Sequence, residues 1–330
     1  MRKHRVLGPP GATYHCYSRI YDRKHLLKKL AHKTKFLQIM RREAAFCGVE
    51  INTYCIMDNH WHMLVTVPPR PSLNDIELAA RFGERYGSDR QRDILEQLET
   101  LRKISEKSWL QYREKLLARL HDISHFMQMV KQNFSIWYNK KYGRKGTLWE
   151  GRFGSVLVEG SGEAFKTMAA YIDLNPVRAA MVKDPKDFRW SGYGAAVAGN
   201  ELARTGIAQV MRDHVKPDES LAAYRLLLFG AGEEKGEADP NRPATFQKGF
   251  SREQALQVYE AEGKLTVPEL MSCRVKYLVN GAILGSRSFV QEMYARNAKA
   301  LGRFRKDPGN CLPLKGKPLF SLRNFSQPLE

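Results

Sequence analysis

Residues 49–67 read VEINTYCIMDNHWHMLVTV. Val, Ile, Thr and Tyr fill both halves, and Asp58-Asn59 sits between them. That is two β-forming runs around a turn, and Pro68-Pro69 ends the second run. His60 and His62 lie two apart in that second run. On a strand, side chains two apart share a face, so both imidazoles look one way and Trp61 looks the other.

The pattern extends outward from this hairpin. Gly11–Ile20 (GATYHCYSRI) reads as a first strand. From about Leu26 to Phe46, Leu27, Leu30, Phe36, Leu37, Ile39 and Met40 recur at helical spacing, and Gly48 is a helix stop. Strand, helix and hairpin open a ferredoxin-like arrangement. The expected class is α+β, an antiparallel sheet with helices on one face. Residues 71–142 then read as helical and heavily charged, with a capping-box-like Ser72-Leu73-Asn74-Asp75. Asp89–Leu120 alternates charge sign around regularly spaced Leu and Ile, as a solvated helix or helical hairpin would. A further helix is expected at Ser124–Tyr142. Leu148–Val158 reads as a strand, and a helix starting at Glu163 stops near Asn175-Pro176.

The chain has 330 residues and a formal net charge of +19. An excess of this size points to a polyanionic partner, most often nucleic acid. No run approaches the roughly 20 apolar residues of a membrane span. The basic start Met1-Arg2-Lys3-His4-Arg5 leads into Gly8-Pro9-Pro10 rather than an apolar run, so a secretory signal is not expected. Cys16, Cys47, Cys55, Cys273 and Cys311 are widely spaced, with no CxxC pair, which fits a reducing cytoplasm better than a disulfide scaffold.

The composition shift at Ala231–Pro243 (AGEEKGEADPNRP) marks a linker. The expected organisation is a domain over 1–200 with a helical insertion at about 70–122, a connecting segment over 201–243, and a small basic, mostly helical part over 244–330. The last has helical stretches at Ser251–Glu262, Val267–Val279 and Ser286–Lys299. A basic tail carries Arg303, Arg305, Lys306, Lys315, Lys317 and Arg323. Short helices with basic ends suit either a DNA-binding module or an ordinary helical domain.

Two imidazoles on one strand face can hold a divalent cation, or can be an ordinary pair of half-exposed histidines. Tyr171 and Asn175, four apart in YIDLNPVR, share a helix face. Pro176 biases Asn175 away from helical geometry. Lys140, Lys141, Arg144, Lys145 and Arg152 are interleaved with Trp137, Tyr138, Tyr142, Trp149 and Phe153. Cations of this kind neutralise phosphates, and exposed aromatics stack bases. Trp137 and Phe153 are expected in the core, whereas Trp149 and the five cations are expected to bind DNA. Tyr138 and Tyr142 are also four apart. So are His121 and His125, a possible second metal pair. His15, on the first strand, can face the site, with a packed or surface role favoured.

Taken together, these motifs resemble the IS200-like single-tyrosine HUH transposases, in the branch of REP-associated tyrosine transposases. The resemblance rests on Asp58-Asn59-His60-Trp61-His62, on Tyr171 within YIDLNPVR, and on the Gly146–Phe153 and Phe188–Tyr193 stretches. It spans roughly Gly11 to Gly199. The charged insertion is long for the family, and Glu150 stands where Gln is common. The resemblance implies an HUH nuclease fold with Tyr171 as nucleophile. His60, His62 and Asn175 would be the ligands of Mg²⁺ or Mn²⁺, and hairpin-forming single-stranded DNA the substrate. A monomer and a homodimer both remain open. Two other classes compete. One is a nucleic-acid-binding regulator that keeps the fold without cleaving. The other is an unrelated metal-dependent hydrolase, for which Asp58 is the nearby carboxylate by sequence.

Overall fold

The computed structural model describes residues 5–230, 281–301, 310–312 and 318–323. The linker at 231–243, the helical stretches at 251–262 and 267–279, and the cations Arg303, Arg305, Lys306, Lys315 and Lys317 lie outside the described residues.

The chain begins with β1 (Thr13–Arg19), α1 (Leu30–Cys47), β2 (Glu50–Ile56) and β3 (His60–Thr66). α1 ends where Gly48 takes φ 66°, a left-handed cap that glycine adopts without Cβ strain. Next come α2 (Asp75–Tyr86), α3 (Ser88–Ile104), α4 (Glu106–Leu117) and α5 (Ile123–Tyr142). The expected helical hairpin is α3–α4. The capping box falls two residues later than the sequence suggests. Asn74 is the N-cap and accepts from the Glu77 N–H, while the Glu77 carboxylate accepts from the Asn74 N–H. After α5 follow β4 (Gly154–Val158), α6 (Gly162–Asp173), α7 (Asn175–Arg178), α8 (Gly192–Val197), α9 (Glu201–Met211) and α10 (Ser220–Gly230). The last described elements are β5 (Gly281–Gly285), α11 (Arg287–Leu301), β6 (Asn310–Leu312) and β7 (Leu319–Arg323).

One seven-stranded sheet runs in the order β2-β3-β1-β4-β5-β7-β6. Its first four strands are antiparallel neighbours in ferredoxin-like order, and β5 joins β4 in parallel. The fold is α+β. Trp61 points to the face covered by α1 and α5. It is fully buried, 5.7 Å from the Phe36 ring and 6.3 Å from the Trp149 ring. Burying a side chain of this size contributes about 3 kcal/mol. The other face is also covered, by α6, whose Tyr171 meets His62. The inserted helices dock on the end of α1, where Phe46 lies 5.1 Å from Phe82 and buried Glu43 accepts two bonds from Arg85.

Among the described C-terminal residues, α11 matches the helix expected at 286–299, and the three strands extend the sheet. Glu159, just after β4, accepts from the Ser286 N–H (2.6 Å) and hydroxyl (2.9 Å) at the start of α11. No helix among the described residues is long and apolar enough to cross a membrane.

Candidate catalytic cleft

The register of β1 on β3 builds the site. Arg19 lies opposite His60 and Tyr17 opposite His62, so His15, Tyr17 and Arg19 share the face of the two histidines. α6 crosses that face and brings Tyr171 over it, with its ring 5.8 Å from His62 and 5.9 Å from His15. The result is a cleft of about 410 Å³ lined by Tyr17, Arg19, His60, His62, Glu150, Arg152, Tyr171 and Asn175, among others. The histidine pair, Tyr171, Asn175 and Arg152 are thus gathered from segments far apart in sequence.

α6 stops at Asp173, near Asn175-Pro176 as expected, and Pro176 does not end the helical path there. It occupies the first turn of α7, where a missing N–H costs nothing. Asn175 therefore keeps the face of Tyr171. Its Nδ2 donates to the Tyr171 and Ile172 carbonyls at 3.0 and 3.1 Å, so the amide atom it can offer is Oδ1. Arg178 places its guanidinium 4.2 Å from the centre of the Tyr171 ring and donates to the Tyr171 carbonyl at 2.9 Å.

The His60 and His62 rings are 5.2 Å apart and perpendicular. Burial, then the Arg19 and Arg178 charges, push the His60 pKa down to about 4. Burial, then His15 and His60, hold His62 well below the usual imidazole range. Both rings are therefore neutral near pH 7 and able to act as ligands. Asn59 Nδ2 donates to the Arg23 carbonyl at 3.2 Å, and His60 Nδ1 donates to Asn59 Oδ1 at 2.7 Å. His60 thus presents Nε2. Two neutral imidazoles and one amide oxygen fit a divalent cation while leaving positions for phosphate oxygens. Among the described residues, no three His, Cys, Asp or Glu side chains cluster as a metal site, so the set depends on the Asn175 amide.

Several expectations need correction. Trp149 is 5 % exposed and offers no face for a base. Its indole N–H donates to the Ser135 hydroxyl at 2.9 Å, and its ring packs near Phe36 and Phe134. Its role is to anchor the segment that carries Glu150 and Arg152 into the cleft. That segment is also fixed by the Glu150 N–H bond to the Arg19 carbonyl and by Lys131 Nζ, 2.5 Å from the Gly151 carbonyl. Burial lowers the Lys131 pKa to about 8. Only Gly154–Val158 of the expected long strand is regular, and Trp149 forms a single bridge to Ile20.

Lys140, Lys141, Arg144 and Lys145 are exposed at the end of α5 and just beyond it, and none of them lines the cleft. Trp137 and Phe153 are partly buried against the core. Tyr138 is buried, and Tyr142 shares a 2.6 Å hydrogen bond with His32 Nε2. Neither lines the cleft. Asp58 is paired with buried Lys33 at 2.7 Å, which removes it as a nearby base. His121 precedes α5 and bonds the Pro68 carbonyl, while His125 accepts from Arg119, so these two imidazoles turn to different partners.

Sequence reasoning missed Arg19, Tyr17 and Arg178, and favoured a packed or surface role for His15 over one facing the site. His15 is fully buried, and its Nε2 lies 2.9 Å from His62 Nδ1. The alternation of His15, Tyr17 and Arg19 was the available signal.

No curated protein matches the chain. A solved structure of a REP-associated tyrosine transposase bound to a REP hairpin is similar, with 17% identity and a TM-score of 0.40, over 60% of this chain and 87% of that one. The family model for IS200-like transposases matches residues 10–81, the stretch holding β1, α1, β2 and the two histidines of β3. Over these residues the chain is similar to the IS200-like transposases, as its motifs imply.

Proposed function

We propose that the chain is a metal-dependent single-strand DNA endonuclease and strand transferase of the REP-associated tyrosine transposase type, acting on hairpin-forming DNA. The observation that supports this most is the meeting of Tyr171, His60, His62 and Asn175 on one cleft.

A free phenol, with a pKa near 10, is a poor nucleophile at neutral pH, so position and charge must help it. Tyr171 Oη would attack the scissile phosphorus. The Oη–P bond forms, the phenol proton leaves, the P–O3′ bond breaks, and the departing O3′ takes up a proton. The products are a 5′-phosphotyrosine and a free 3′-hydroxyl. Attack by another 3′-hydroxyl reverses the chemistry and rejoins strands without an external energy source. Arg19 and Arg152 bring two cations to the phosphate, and Arg178 holds the Tyr171 ring. His60, His62 and Asn175 would hold Mg²⁺ or Mn²⁺, and an imidazole pair suits Mn²⁺ at least as well. A cation bound there supplies positive charge against the scissile phosphate.

The test is a denaturing gel of labelled single-stranded hairpins, drawn from DNA flanking the gene, with Mn²⁺ or Mg²⁺. Wild type is expected to give a covalent protein–DNA band. Tyr171→Phe is expected to lose the band and keep hairpin binding. Salt-sensitive binding without any adduct in wild type would favour the non-cleaving regulator instead.

A further inference from the structure

Three acceptor atoms are aimed at the cleft only if both histidines carry their protons on Nδ1. For His60 this is settled by Asn59, whose Oδ1 can only accept. For His62 the partner is another imidazole, and two neutral imidazoles can share a hydrogen bond in either direction. If His15 donates, His62 must carry its proton on Nε2 and present an N–H to the cleft. If His15 accepts, His62 presents a lone pair, as His60 does.

We infer that His15 is the positioning residue of this site: it accepts the His62 Nδ1 proton and thereby turns the His62 Nε2 lone pair into the cleft. Its geometry suits the task. The two rings are nearly parallel, with an interplanar angle of 22° and centroids 5.1 Å apart. His15 is fully buried on β1, an interior strand of the sheet, so its ring cannot swing into water. It also lies edge-on to Tyr171, 5.9 Å between centroids, and so packs ligand and nucleophile against one surface. The cations needed for phosphate already come from Arg19 and Arg152, so an extra N–H from His62 adds little, whereas a third acceptor completes a cation site. Partners that fix the tautomer of a ligating histidine commonly affect metal affinity 10- to 100-fold.

The inference rests on the metal reading of the cleft, and two measurements separate their failures. The first is the tautomer in the metal-free protein at pH 7.5, read from two-bond ¹⁵N–¹H correlations of ¹⁵N-histidine-labelled chain. Signals are assigned with His15→Phe and His62→Gln. His62 is expected to be protonated at Nδ1 and bare at Nε2. A His62 protonated at Nε2 overturns the inference, whatever the metal does.

The second is calorimetric titration with Mn²⁺. His15→Phe keeps a flat ring but removes the acceptor. It is expected to weaken Mn²⁺ roughly 10- to 100-fold, with hairpin affinity in the absence of metal unchanged. His15→Gln, whose Oε1 can replace the acceptor, is expected to recover most of the loss. Equal Mn²⁺ affinity in wild type and His15→Phe overturns the inference. A wild type that takes no Mn²⁺ at all sinks the metal reading, and the tautomer alone then decides the role of His15.

Discussion

Asp173 stands between Tyr171 and Asn175 in sequence yet turns away from both. On a helix, positions two apart point in nearly opposite directions, so the residues flanking it reach the cleft while it faces the packed side. There its carboxylate accepts from the Thr53 hydroxyl (2.7 Å), the Tyr193 N–H (3.0 Å) and the Tyr224 hydroxyl (2.7 Å). Burial outweighs these donors and raises its pKa to about 6. Thr53, Tyr193 and Tyr224 lie on β2, α8 and α10, so this one side chain fixes the helix that carries Tyr171. Asp173→Ala would strand two buried hydroxyls and one N–H, at an expected loss of about 3 kcal/mol in urea unfolding. A loss under about 0.5 kcal/mol would show that water or repacking satisfies these donors. The HxH pair was legible because its spacing is local. His15 and Arg19 were not, because only the β1–β3 register tells which face of β1 meets the histidines.

At the scale of elements, β2 is the outer strand of the sheet and would expose a row of backbone groups. Two devices close it. The Ile56 N–H donates to the Trp190 carbonyl at 3.0 Å, and Cys55 bridges Ser191. α9 then lies against the bulge in β2 near Asn52, where Gly206 approaches so closely that a Cβ would stand 2.3 Å from the Asn52 carbonyl oxygen. Replacing glycine by alanine usually stabilises a helix by about 1 kcal/mol. Here the sign reverses, because the obstacle is backbone. Gly206→Ala is expected to cost about 1–3 kcal/mol, measured as a fall in the urea midpoint at unchanged slope. A raised midpoint would mean that α9 can slide away from the edge. Most helices were legible, since their periodicity and caps lie within a few residues. The region around Trp149 was not. An aromatic among lysines looks like a base-stacking site until the fold shows its indole bonded to Ser135 and its ring against Phe134.

Across the whole molecule, both ends of the described chain close on the same sheet. The Leu7 carbonyl accepts from Asn297 Nδ2 at 2.9 Å, and Glu159 binds the start of α11. The strands after residue 280 escaped the sequence reading because they are short and pair with distant partners, such as Leu157 with Ile283. The net charge of +19 was legible from composition, but its placement was not. Arg19 and Arg152 line the cleft, whereas Lys140, Lys141, Arg144 and Lys145 form a separate exposed group at the end of α5. These two groups predict different salt responses. Each phosphate contact to a single strand contributes about 0.7 to the slope of log affinity against log salt. Titrating a short unpaired oligonucleotide across a KCl series, the Arg19→Ala, Arg152→Ala double variant is expected to lower the slope by ~1.4. Substituting the four α5-end cations by Ala should leave that slope nearly unchanged. On a longer hairpin, whose duplex can reach past the cleft, the four-cation variant should lower the slope as well. An unchanged slope for the double variant on the short strand would mean that no phosphate of the bound strand lies between these two arginines, and the cleft would lose its electrostatic argument for binding DNA.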